Sequence, residues 1–92
     1  MSIQWLFDVI EDRKKNSPEK SYTASLFKDG LPKIAQKVGE EGTEVVVAAL
    51  AQSDERLIEE VADLAYHTLV LLSARGILPD QIVAELQKRH QK

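Results

Sequence analysis

Ninety-two residues suffice for one domain, expected to span 1–92, and a domain of this size buries little more than ~60% of the surface its unfolded chain exposes. The absence of cysteine excludes a disulfide framework, a thiolate metal site and a thiol nucleophile, so any metal must be held by oxygen or imidazole. The net charge is −3, but the signs are segregated: Arg13, Lys14, Lys15, Lys20, Lys28, Lys33 and Lys37 load the first part, and Glu40, Glu41, Glu44, Asp54, Glu55, Glu59, Glu60 and Asp63 load the middle. Such an arrangement suits a polyanion held through a cation. It disfavours duplex nucleic acid, whose phosphates the acidic centre would repel. Met1-Ser2-Ile3-Gln4-Trp5 lacks the basic and apolar regions of a leader, and no apolar run approaches the ~20 residues that span a bilayer. A cytoplasmic protein without a membrane partner is expected.

In chain order, Ile3, Leu6, Phe7, Val9 and Ile10 recur at helical spacing and predict a first helix over Ile3–Lys14, ended by Asn16-Ser17-Pro18. Glu19–Gly30 is less regular, with a short pattern at Tyr22, Leu26 and Phe27 that suggests a loop and a short helix. From Pro32, suited to a first turn, to about Gln52, the residues Ile34, Ala35, Val38, Val45, Val46, Ala49 and Leu50 predict a long helix despite Gly39 and Gly42. Ser53 or Asp54 caps a second long helix that runs to Arg75 and stops at Gly76 in a left-handed C-cap. Asp80 helps start the last helix, Gln81–His90, with Ile82, Val83 and Leu86 as its stripe. Val45-Val46-Val47 is β-prone but lies within a strong helical period, so the class is all-α: two long antiparallel helices plus shorter ones.

The chemistry resides in the acids of the two long helices. Glu41 and Glu44 are one turn apart, Glu40 and Glu44 are i, i+4 neighbours, and Lys37 joins that stripe. Counting ~100° per residue puts these acids at the edge of the buried face formed by Ile34, Val38, Val45 and Ala49. Glu60 and Asp63 repeat the device on the next helix, with His67 one turn further. Around them Leu57, Ile58, Val61, Leu64, Leu69 and Val70 make that helix apolar nearly all round, which marks a buried helix. Buried carboxylates must find a partner, change protonation or coordinate a cation. Two helices joined by a short turn pack antiparallel, which brings the two acidic pairs together as an all-oxygen site suited to Mg²⁺ or Mn²⁺. An isolated Glu-Glu-x-x-Glu is commonly a solvated face. The second pair on an apolar helix is what favours a metal. His67 reads either as a core histidine bonded to a carboxylate or carbonyl, or as a group near the phosphates. Lys37 could simply offset Glu40 and Glu41, and Tyr66 and Trp5 read as packing residues.

Glu40-Glu41-x-x-Glu44 followed by Glu60-x-x-Asp63 resembles the acidic signature of the MazG-like all-α nucleotide pyrophosphohydrolases. Within that superfamily the chain is most similar to the phosphoribosyl-ATP pyrophosphatases, through Ser21-Tyr22-Thr23-Ala24-x-Leu26, Lys33-Ile34-x-Gln36-Lys37-Val38-Gly39-Glu40-Glu41, Ala62-Asp63-Leu64-x-Tyr66-His67 and Arg75-Gly76. The resemblance implies Mg²⁺-dependent hydrolysis of 1-(5-phosphoribosyl)-ATP to phosphoribosyl-AMP and pyrophosphate in histidine biosynthesis. It implies Glu41, Glu44, Glu60 and Asp63 as metal ligands, Glu40 as a further metal or water contact, and Glu40 or Glu44 as proton acceptor. Ser21, Tyr22, Thr23, Lys37 and His67 would surround the substrate. The cyclohydrolase domain fused to some relatives is expected to be missing.

Two rivals remain at this level. One is a MazG-type housecleaning hydrolase of free nucleoside triphosphates, disfavoured by the Ser-Tyr-Thr segment and by Tyr66-His67. The other is a non-enzymatic helical dimerisation module whose acids are a solvated face. A homodimer is expected, because one chain has too few helices to cover Leu57–Leu72. Two long helices from each of two copies make a four-helix core, with Leu69 and Leu72 as candidates for the shared face.

Overall fold

A computed structural model describes residues 3–16 and 21–91. Its helices are α1 (Gln4–Asn16), α2 (Tyr22–Asp29), α3 (Leu31–Ala51), α4 (Asp54–Ala74) and α5 (Pro79–Arg89), and no strand occurs among the described residues. The all-α expectation therefore holds. The stop expected at Ser17-Pro18, the charge of Lys20 and the N-terminal pair Met1-Ser2 lie outside the described residues. No single described helix is long and apolar enough to cross a membrane.

Capping chemistry explains the boundaries. The irregular segment resolves into a complete two-turn helix because the Ser21 hydroxyl oxygen accepts the Ala24 N–H at 3.1 Å. Gly30, at φ +96°, closes α2 by donating its N–H to the Leu26 carbonyl at 3.0 Å and passes directly into α3, where Pro32 takes a first-turn position. Ser53, rather than Asp54, caps α4 by accepting the Arg56 N–H at 3.3 Å. At the other end Gly76 adopts φ +71°; its N–H reaches the Ser73 carbonyl at 3.1 Å and that of Ile77 reaches Leu72 at 2.9 Å, the paired bonds of a Schellman stop. α5 begins at Pro79, earlier than expected, because proline suits a first turn and the Gln81 side chain accepts the Leu78 N–H at 2.8 Å.

α3 and α4 form an antiparallel hairpin across a two-residue turn, Gln52-Ser53, and make the most extensive helix contact in the protein. α1 and α2 cover the end of this hairpin remote from the turn. Phe7 and Ile10 of α1, Leu26 of α2, Ile34 of α3 and Leu69 and Val70 of α4 form the buried core there. Lys14 ties α1 down by donating to the Ser73 carbonyl at 2.8 Å. Leu69, a candidate for a subunit face, is thus enclosed within its own protomer because α1 packs over it, and Leu72 is half-buried against the same core. Trp5, read as a packing residue, is 63% exposed because the inward face of α1 belongs to Phe7 and Ile10.

The helix expected to be buried all round is buried on one side only: Ile58 and Val61 of α4 are exposed, as are Val46, Val47 and Leu50 of α3. α5 turns away from α4 by 108° and buries none of its residues. Its stripe, Ile82, Val83 and Leu86, instead borders an open apolar cleft of about 590 Å³ between α1, α4 and α5.

Candidate metal centre

The buried residues of α3 are Ile34, Glu41 and Ala48, spaced by seven, and Glu60 and His67 on α4 share that spacing. Seven residues is the repeat at which a helix returns to the same line on a packed neighbour. Glu41 therefore occupies the seam between the helices, with Ile34 two turns before it and Ala48 two turns after. The expected edge position is corrected accordingly: Val38 and Val45 are only half-buried and Ala49 is exposed.

Glu41, Glu60 and Asp63 each bring a carboxylate oxygen within 4.8 Å of the others. Glu41 and Glu60 are buried, at 6% and 5% exposure, whereas Asp63 is exposed, so the cluster opens to solvent on the Asp63 side. The Glu44 carboxyl lies against that of Glu60 and is the chief cause of Glu60's raised pKa; burial adds to the shift and Arg56 opposes it. Glu41 Oε2 and Glu60 Oε2 are buried with no hydrogen-bond partner among the described residues. A carboxylate oxygen so placed costs free energy unless a cation or proton reaches it. Two cations approach in part. Lys37 Nζ stands 3.6 Å from Glu41 and 3.5 Å from Glu40, and Arg56 bonds Glu60 at 2.7 Å and Glu59 at 2.6 Å. Arg56 is not among the residues the sequence singles out, although its i, i+4 spacing to Glu60 is the usual ion-pair signal. The donor set is all oxygen, and the inward oxygens lack partners; both features fit a hard divalent cation.

The expected substrate-side residues divide into two groups. Ser21 caps α2 through its hydroxyl oxygen, and Thr23 is buried with its hydroxyl bonded to that of Tyr66. Tyr66, expected only to pack, is thus polar as well as packed, and burial pushes its pKa up. Lys37 faces Glu40 and Glu41, and Tyr22 lies against His67. Partial burial disfavours the charge of Lys37, but Tyr22, Glu40 and Glu41 together outweigh it and hold the ammonium above its ordinary pKa. The Tyr22 hydroxyl stands 2.9 Å from His67 Nε2, and His67 Nδ1 stands 2.7 Å from the Asp63 carbonyl. Glu40 stays exposed on the outer side, held by Gln36 at 3.1 Å; this bond first, and then Lys37, lowers its pKa.

The sequence profile described as phosphoribosyl-ATP pyrophosphohydrolase matches residues 4–90. A phosphoribosyl-ATP pyrophosphatase of Erythrobacter litoralis is 53% identical over 88 residues, covering 96% of this chain and 85% of the relative. One from Clostridium acetobutylicum is 53% identical over 87 residues, covering 95% and 79%. An archaeal relative of the same name, from Sulfurisphaera tokodaii, is 50% identical over 87 residues, covering 95% and 93%.

Proposed function

The chain belongs to the phosphoribosyl-ATP pyrophosphohydrolase family, and from that premise we propose that it hydrolyses 1-(5-phosphoribosyl)-ATP between its α and β phosphates in histidine biosynthesis. The products are phosphoribosyl-AMP and pyrophosphate. The observation that carries this proposal is the meeting of Glu41, Glu60 and Asp63 from two helices, with one buried oxygen each of Glu41 and Glu60 having no hydrogen-bond partner among the described residues.

Glu41, Glu44, Glu60 and Asp63 would hold Mg²⁺, or Mn²⁺ in its place. The cation would supply positive charge against the phosphate oxygens and Lewis acidity toward the attacking water, so no protein nucleophile is needed. Of the two candidate proton acceptors, Glu40 is weakened as a base by the Gln36 bond first and then by Lys37, which favours Glu44 for that role. Lys37 offers the phosphates a fixed ammonium beside the cluster. The half-exposed ring of Tyr22 stands at the same mouth, while Ser21, Thr23 and His67 hold that segment in place.

A homodimer completes the proposal. Leu50 at 84%, Ile58 at 69% and Val46 at 56% exposure form an apolar end of the hairpin that a second copy's hairpin would cover. A water-soluble nucleotide substrate suits the cytoplasm and calls for neither a membrane nor nucleic acid.

The test is pyrophosphate release from phosphoribosyl-ATP with Mg²⁺ and with EDTA, set beside dCTP, dUTP and ATP. Metal-dependent turnover favouring phosphoribosyl-ATP is expected. Preference for a free triphosphate would instead assign the housecleaning chemistry, and no turnover of any substrate would leave only a helical module.

A further inference from the structure

The contacts of His67 are poorly suited to touching a substrate and well suited to another task. The ring is 5% exposed, and both of its nitrogens are engaged. A carbonyl oxygen can only accept, so the hydrogen in the Nδ1 contact with Asp63 belongs to the ring. In the neutral imidazole Nε2 is then the acceptor, and the Tyr22 hydroxyl donates to it. Tyr22 and Tyr66 stand edge-on to the ring at 5.8 and 5.0 Å between centroids, so it cannot turn without displacing both. A phosphate could take a hydrogen bond from His67 only by breaking one of these contacts.

The three clustered acids are held in different ways. Glu41 is met by Lys37 and Glu60 by Arg56, both at the side chain. Asp63 is the exposed member, and the contact that reaches it from His67 is at its backbone carbonyl. We infer that Tyr22 and His67 are positioning residues for the metal centre: Tyr22 fixes the tautomer and orientation of His67, and His67 fixes the turn of α4 from which Asp63 reaches the cluster. The inference rests on the proposed metal centre. It assigns α2 a part in metal binding although α2 contributes no carboxylate to the cluster.

The experiment measures Mn²⁺ affinity by electron paramagnetic resonance, together with kcat and KM for phosphoribosyl-ATP. The proteins are the wild type, Tyr22→Phe, His67→Gln and His67→Asn, each checked for helicity. Groups that orient metal ligands typically account for about 10- to 100-fold in metal affinity or activity. Tyr22→Phe and His67→Gln should weaken Mn²⁺ and lower kcat by about that factor, with KM little changed. His67→Asn, whose amide nitrogen falls where Nδ1 was, should lose less than His67→Gln. Wild-type Mn²⁺ affinity in folded Tyr22→Phe and His67→Gln, with a raised KM, would overturn the inference and return both residues to direct substrate contact. Absence of Mn²⁺ binding to the wild type would instead overturn the metal centre itself. Should His67→Gln fail to fold, Tyr22→Phe decides alone, because it removes a single hydroxyl from a half-exposed side chain.

Discussion

The α3–α4 hairpin carries large apolar side chains at both ends, yet the two ends meet different fates. Away from the turn, Ile34, Leu69 and Val70 are 0–4% exposed, because α1 and α2 lie across them. Toward the turn, Leu50 and Ile58 are 84% and 69% exposed although they are as apolar as their buried counterparts. Burial is therefore decided by what covers a helix face rather than by its hydrophobicity. Each large aliphatic side chain left in water forgoes about 1.5–3 kcal/mol. The acidic cluster sits at the boundary, where the closed end passes into the open one. Asp63 and Glu44 are on its exposed side and Glu41 and Glu60 on its buried side.

The sharpest way to test that boundary is to remove charge from it while preserving shape. Asp63→Asn and Glu44→Gln should each lower kcat on the order of 10³-fold, since losing a ligand to the cation forfeits several kcal/mol of transition-state stabilisation. Circular dichroism should show unchanged helicity, because neither side chain belongs to the closed core. Near wild-type rates at limiting Mg²⁺ in either variant would remove that residue from the ligand set.

The open end gives the next largest effect. Leu50→Lys or Ile58→Lys would bury an unpaired ammonium if a second copy covers this surface, a cost of several kcal/mol. Dimer dissociation constants should rise on the order of 10²-fold or more. Sedimentation velocity would show lighter particles with intact helicity. The closed end should behave differently, Leu69→Lys disrupting the protomer itself. An unchanged sedimentation coefficient in Leu50→Lys would leave the open end without its proposed cover.

This contrast also marks how far the sequence was legible. Helical period, Ser53, Pro32 and Gly76 locate α3 and α4 almost to the residue, because these signals act within a turn or two of the chain. The pairing of Glu41 with Glu60 and Asp63 follows from i, i+3 spacing and a short connection. What was not legible depends on tertiary neighbours. Leu69 is covered because α1 crosses it and Ile58 is exposed because none of the described helices does, and neither fact leaves a mark on α4 itself. Glu41 falls in the seam rather than at its edge because a packed pair of helices repeats at seven residues, whereas counting ~100° per residue follows an isolated one. Tyr22 and His67 are 45 positions apart, so their bond depends on the placement of α2.

A smaller effect is expected at Lys37, which borders the cluster from the buried side. Lys37→Ala should raise KM or lower kcat about tenfold, the scale of one charge-assisted contact. Thermal stability should move little, because exposed and half-exposed ion pairs contribute about 0–1 kcal/mol. Unaltered kinetics would reduce Lys37 to a counter-ion for Glu40 and Glu41.

The smallest effect is a pH dependence of stability that crosses the same boundary. Glu60 has a raised pKa in the folded protein, through Glu44 first and burial second, against the pull of Arg56. As pH rises past the ordinary glutamate range, the unfolded chain releases this proton while the folded chain still holds it. The folded state then binds more protons, so this group's contribution to stability falls with rising pH between its unfolded and folded pKa values and is level above them. Other carboxylates with lowered pKa values, Glu40 among them, pull the opposite way. The comparison must therefore be between wild type and Glu44→Gln, in which the chief cause is gone. In EDTA, the melting temperature of the wild type should fall relative to the variant across that window. With saturating Mg²⁺ the sign should reverse, because a cation binds only the deprotonated carboxylates and so stabilises the wild type increasingly as pH rises. Parallel melting curves for the two proteins at every pH in EDTA would show that Glu44 does not raise the pKa of Glu60, and would separate the exposed side of the cluster from the buried one.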